Sequence, residues 1–186
     1  MAVLFLRKAV PEDIGLLFKW ANDADVRRSA LNSRKITWIE HQRWFQQKMA
    51  DRNCFQYIAL NQAGHPVGQI RFDITDSIAD IDYSVDGSSR GSGIGGRLLA
   101  CGVEAVKREI SSAVLLQGRV KYHNAVSEHI FKKAGFFRVA EVSAKEKDDG
   151  GRPYYVYQLK IHPGQVKTKP AEKQHMMIAN EGIFQS

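Results

Sequence analysis

An α+β fold, with helices layered on a mixed sheet, is what the order of periodicities along the 186-residue chain predicts. Three observations carry this expectation. One strand precedes a pair of helices, three strands then follow without a break, and helix and strand alternate from there on. The length suits a single domain with a sizeable core.

Val3 to Val10 reads as the first strand. Pro11-Glu12-Asp13 opens a helix, with proline fixed near helical φ and acids at the positive end of the dipole. Leu16, Leu17 and Trp20 share one face of it. Asn22 to Ser33 is polar and arginine-bearing, and reads as short helix and loop. Thr37-Trp38-Ile39-Glu40 matches a capping box, and the helix it starts aligns Trp38, Phe45 and Met49 on one stripe. Phe55 to Leu60 is the next strand, Asn61 to Gly64 a turn, and Pro66 to Asp73 and Ile78 to Val85 two more strands. The last alternates Ile81, Tyr83 and Val85 with Asp80, Asp82 and Ser84.

A glycine-rich turn leads into a long amphipathic helix carrying Ile94, Leu98, Leu99, Val103, Val106 and Ile110. Ala113 to Val120 is a strand, Val126 to Ala134 a helix, and Phe136 to Val142 a strand. Lys145 to Arg152 forms a charged loop before a final strand, Pro153 to Lys160. The folded domain is expected over 1–160. From 161 to 186 the chain reads as linker and tail, with His162 to Lys173 the linker and Met176 to Phe184 too short to fold alone.

Composition narrows the function. With 44% hydrophobic and 25% charged residues, the chain reads as an ordinary globular protein. No apolar run approaches the ~18–20 residues of a membrane helix, and the start lacks a signal-peptide pattern. The cytoplasm is the default location, and no membrane partner is expected. Cys54 and Cys101 make neither a disulfide framework nor a zinc motif, so no metal is expected. The net charge of +7 predicts attraction to an anion. There is no basic-aromatic strand motif or dense Lys/Arg run, which argues against nucleic acid.

The most informative stretch runs from Val85 to Gly96. Strand, glycine turn and helix in that order make an anion cradle: glycines let backbone N–H groups approach a phosphate, and the helix N-terminus adds positive charge. A tight turn without ligand is the plain alternative. Three patterns fit formally. Gly87-x-Ser89-x-Gly91 matches a nucleophile elbow, with His123, His129 and His162 downstream. Gly91-x-Gly93-x-x-Gly96 matches a dinucleotide fingerprint, but Leu116 and Gln117 stand where its acid belongs. The absence of Gly-Lys-Ser/Thr excludes a P-loop.

The third pattern, Arg90-x-x-Gly93-x-Gly95, resembles the acyl-CoA-binding motif of the GCN5-related N-acetyltransferases (GNAT). Asn124 to Phe136, ending in Ala-Gly-Phe, resembles that family's second block, and the element order agrees over about residues 3 to 160. The resemblance implies a mostly antiparallel mixed sheet, acetyl-CoA as donor, an amine acceptor, and direct attack in a ternary complex. The cofactor would lie on Val85, Arg90, Gly91, Ser92, Gly93, Ile94, Gly95 and Gly96, with Asn124 and Phe131 beside it. Phe131 stands where many members carry a tyrosine acid, so Ser127 and Tyr122 are the candidates to replace it. Asp80 and Asp82 are candidate bases, with His123 an alternative.

Trp20-x-Asn22, Arg27 and the Glu40-His41-x-x-Trp44-Phe45 helix resemble the branch acetylating ribosomal-protein N-termini. They are closer still to enzymes acting on nucleotide-linked amino sugars of nonulosonic acid and surface-polysaccharide synthesis. Trp20, Asn22, Arg27, His41 and Arg71 are thus candidate acceptor contacts, and Arg28 and Lys121 add to the cationic pool. The acceptor expected is a phosphorylated small-molecule amine, and the protein a monomer or homodimer. A non-catalytic CoA-binding sensor is the alternative.

Overall fold

The computed structural model describes residues 3–110, 115–143 and 153–161. Its elements run β1 (Phe5–Lys8), a 3-10 turn, α1 (Ile14–Ala21), α2 (Ala24–Ser29), α3 (Trp38–Ala50), β2 (Cys54–Leu60), β3 (Pro66–Thr75) and β4 (Ile78–Val85). They continue with a second 3-10 turn, α4 (Ile94–Glu109), β5 (Leu115–Lys121), α5 (Ala125–Lys133), β6 (Phe137–Val142) and β7 (Tyr154–Lys160). The Lys145–Arg152 loop and the tail lie outside the described residues.

One seven-stranded sheet has the order β1-β2-β3-β4-β5-β7-β6. Among the described residues only β4 and β5 run parallel; the other neighbours are antiparallel. The final strand therefore inserts between β5 and β6, a placement that periodicity does not encode.

The two faces differ. On one, α4 and α5 cover Tyr57, Ile70, Phe72, Ala79, Leu116, Val120 and Tyr157 in the larger core. On the other, α1 and α3 bury Ile58, Leu17, Trp20 and Phe45 in a smaller one. The capping box opening α3 forms as expected: Glu40 N–H donates to Thr37, and Thr37 N–H to Glu40. The stripe on α3 is a correction, however. His41 and Phe45 are its buried residues, while Trp38 and Met49 are each 41% exposed. Their spacing is helical, but they flank the stripe whose centre faces α1.

An ion pair anchors the entry to α1. Arg7 donates two hydrogen bonds to Asp13, of 2.6 and 2.7 Å, and Val10 N–H donates a third. The Arg7 hydrogen bonds hold the buried Asp13 carboxyl below the usual carboxylate range. A depressed folded pKa means stability that is present above about pH 4 and lost as pH falls through the folded value. Asp13→Asn should therefore lower stability by about 1–3 kcal/mol at pH 7 and make the acid limb shallower. Denaturant titration at pH 7 and pH 3 checks this, and equal losses at both would contradict it.

Candidate active site

The sheet opens at one place. β4 pairs with β5 only from Ile78 to Ile81, opposite Leu115 to Gly118. Beyond that β4 stays with β3 as far as Val85, and β5 stays with β7 as far as Lys121. A V-shaped gap thus opens between Asp82–Val85 and Arg119–Lys121. Asp86 N–H donates to Val67 of β3, so by the alternation of an antiparallel pair the N–H groups of Val85 and Tyr83 face the gap.

The glycine loop closes the near wall. Gly91 and Gly93 have φ of +77° and +74°, the left-handed region that side chains disfavour. A Cβ on either, or on Gly96, would meet nothing within 4 Å, so the loop faces open space. At Gly95 the approach is close: its Cβ would lie 3.0 Å from Ile130 and 3.8 Å from both Tyr83 and Val85. Gly93 is the N-cap of α4, with no side-chain cap and no acid in the first turn, leaving the first N–H groups of the helix available. By contrast α2, α3 and α5 are capped by Asp23, Thr37 and Asn124. Such a cradle fits a phosphate.

Side chains brace this loop. Arg90 donates to Asp23 and Asp25, both at 2.6 Å, and to the Val85 carbonyl at 3.2 Å, so its guanidinium faces α2. Trp20 Nε1 donates to Asp86 at 2.7 Å. Ser92 Oγ donates to the Ser89 carbonyl, and Ile94 is half-buried.

The far wall is α5. Asn124 Oδ1 accepts from Ser127 N–H, and Ser127 Oγ lies 3.4 Å from the Tyr83 hydroxyl across the gap. Burial, with Asp82 nearby, raises the Tyr83 pKa. Phe131 is only 3% exposed, and its para carbon would lie 2.2 Å from a Cβ at Gly118. It is a core residue whose ring tip abuts β5, which leaves no surface for the cofactor contact expected of it. Tyr122 stacks on Tyr155, with ring centroids 4.3 Å apart. Desolvation and a hydrogen bond to Glu141 push its phenol up to about 12. His123 sits beside it in the turn, at φ +66°.

On the other face, register creates a polar surface. Directly opposed residues share a face, which puts Gln56, Arg71 and Asp82 in one row, and Asp73, Asp80, Gln117 and Gln158 in the next. Gln69 donates to Asp82 at 3.2 Å, and Arg71 lies 3.4 Å from it. Arg71 also donates to Asp73 at 2.8 Å and stacks on Trp44. Asp80 accepts from Gln117 and faces Arg119 at 3.9 Å. Lys48 pairs with Asp73, and Lys121 reaches the Arg28 carbonyl of α2. Arg27 is half-buried beside this surface; its Nη1 bonds the Asn32 and Arg34 carbonyls, while its Nε–H is buried without a partner.

Of the expected acceptor contacts, Trp20 and His41 are buried, and Asn22 is engaged within the protein. Trp20 is 3% exposed and belongs to the smaller core, its one polar atom held by Asp86. His41 is 2% exposed, with Nε2 2.9 Å from the Ile14 carbonyl, and burial lowers its pKa. Asn22 clamps Ile36, accepting from its N–H and donating to its carbonyl. All three hold the α1–α3 layer together. Tyr83 is the residue that sequence reasoning passed over. Alternation marked it as core, although its place two residues before Val85 was the available signal.

A domain model described as an acetyltransferase (GNAT) domain matches residues 4–137. The chain belongs to the GNAT acetyltransferase family. It is an acyl-CoA-dependent N-acetyltransferase, with acetyl-CoA as donor. Solved structures share the fold. A Vibrio cholerae spermidine N-acetyltransferase in complex with CoA and spermine superposes with a TM-score of 0.75 at 12% identity, over 84% of this chain and 95% of that one. An aminoglycoside acetyltransferase in complex with coenzyme A gives 0.71 at 20%, over 85% and 95%. A ribosomal alpha-N-protein acetyltransferase in complex with coenzyme A gives 0.73 at 19%, over 85% and 94%. No curated protein sequence matches the chain. No helix among the described residues of this acetyltransferase is long and apolar enough to cross a membrane.

Proposed function

We propose that this enzyme transfers acetyl from acetyl-CoA directly to the amine of a nucleotide-linked amino sugar of surface-polysaccharide or nonulosonic acid synthesis. The observation that carries the choice is the half-buried guanidinium of Arg27 beside the polar face, whose Nε–H has no hydrogen-bond partner. Burial lowers its pKa, and the field of Asp82 opposes this. An acceptor bearing a diphosphate satisfies that guanidinium, whereas a polyamine is repelled by it.

The roles follow from position. Backbone N–H groups from Arg90 to Gly96 hold the pyrophosphate of the donor. Val85 N–H, facing the gap, polarises the thioester carbonyl, which supplies the activated acyl carbon. Asp82, at the mouth of the gap, receives the acceptor ammonium and takes its proton directly or through water, with Asp80 one row behind. Ser127, across the gap, donates to the departing sulfur. Tyr122, turned toward Tyr155 and Glu141, is the poorer candidate for that task.

Protein N-terminal transfer is the second reading, favoured by the Asn124–Ser127 pair at the start of α5. Acetyl-CoA turnover against UDP-4-amino-sugars, peptides with free N-termini and polyamines separates the two. The highest kcat/KM is expected for a UDP-amino-sugar, with a raised acceptor KM in Arg27→Ala. Turnover of peptides alone would overturn the nucleotide-sugar reading.

A further inference from the structure

The sulfur-donor role of Ser127 poses a geometric problem. A serine hydroxyl has one proton and rotates freely unless a partner fixes it. The structure supplies that partner from the opposite wall. Tyr83 projects from the unpaired end of β4 onto the α5 side of the sheet, and its hydroxyl donates to Ser127 Oγ over 3.4 Å. The Tyr83 ring is held from two sides: Phe131 meets it edge-on at 6.0 Å, and Gly95 of the cradle packs against it. Asn124 fixes the other end by capping the first turn of α5 through Ser127 N–H.

We infer that Tyr83 is a positioning residue that aims the Ser127 proton at the CoA sulfur. By donating to Ser127 Oγ, Tyr83 occupies one of its acceptor sites and leaves the single Ser127 proton to point into the gap. As the C–S bond breaks, its electron pair goes to sulfur and Ser127 donates its proton there. The Tyr83 proton passes to Ser127 Oγ, and Tyr83 regains one from cleft water; of the two protons the acceptor ammonium loses, the first goes to Asp82 and the second, released as the amide forms, restores that water. A phenol at position 131 could not serve in this way, because the para carbon of that ring faces Gly118 in the core.

This inference rests on the reading of Ser127 as donor to sulfur, and the test separates the two. The probe is CoA itself, labelled with carbon-13 beside the thiol and titrated by NMR while bound, so no acceptor is needed. Hydrogen bonding to the thiolate should hold the bound thiol pKa below that of free CoA. Tyr83→Phe and Ser127→Ala should each raise it by about one unit, a tenfold loss of thiolate at a given pH below the pKa. The double variant should go no further, Ser127→Thr should restore the wild-type value, and CoA affinity at pH 6 should stay within about twofold in all of them. If Ser127→Ala shifts the thiol and Tyr83→Phe does not, the Ser127 role stands and the Tyr83 inference fails. If neither shifts it, both fail.

Discussion

Gly93→Val is expected to lower acetyl-CoA affinity by at least about 100-fold, or roughly 2.7 kcal/mol, while leaving a folded protein. Two costs combine. At φ +74° the left-handed backbone penalises an L side chain by roughly 1–2 kcal/mol, and a β-branched one most of all. Valine also projects into the open space of the cradle, where Gly93 leaves the α4 N–H groups accessible. Because nothing in the protein lies within 4 Å of that Cβ, the loss falls on the ligand rather than on the core. Calorimetry with acetyl-CoA, paired with a thermal melt, checks both halves. Normal binding by Gly93→Val would remove the cradle assignment.

The second large effect is on stability. A Cβ at Gly118 would lie 2.2 Å from Cζ and 2.4 Å from Cε1 of Phe131, so α5 must shift outward or the ring must leave its rotamer. Gly118→Ala should cost about 3 kcal/mol, lowering Tm by roughly 6–12 °C for a domain of this size. In a Phe131→Leu background the same change should cost less, with a coupling of about 0.5–3 kcal/mol in the double-mutant cycle. A wild-type Tm for Gly118→Ala would mean that α5 does not pack on β5 as described.

Local chemistry made much of the fold legible. β4 begins and ends where its alternation predicts, the capping box of α3 forms, and the cradle leads into α4 with Gly91 and Gly93 at positive φ. Long-range pairing is what the sequence withheld. That β7 inserts between β5 and β6 depends on contacts far apart in the chain. The candidate site was read unevenly for the same reason. Gly91 to Gly96 announce themselves by backbone demands local to the loop. Trp20 and His41 do not, because an aromatic on a helix looks alike whether it lines a cleft or the core. Tyr83 was hidden by its own alternation: the face it shares with Ile81 is core along most of the strand and becomes cleft only past Gly118.

The +7 charge also finds a place. Within 161–186, Lys167, Lys169 and Lys173 against Glu172 and Glu181 account for one of it, and the body carries the rest. Within the body, Arg27 lies half-buried beside the polar face of the sheet, opposite the face on which α4 and α5 pack.

That arrangement requires donor and acceptor to meet in one cleft. Initial-rate kinetics, varying acetyl-CoA against the best amine of the panel, tests this most directly. Intersecting double-reciprocal lines, with no acetylated enzyme by intact mass after incubation with acetyl-CoA alone, are the predicted result. Parallel lines with an acetyl-enzyme would contradict direct attack across the gap.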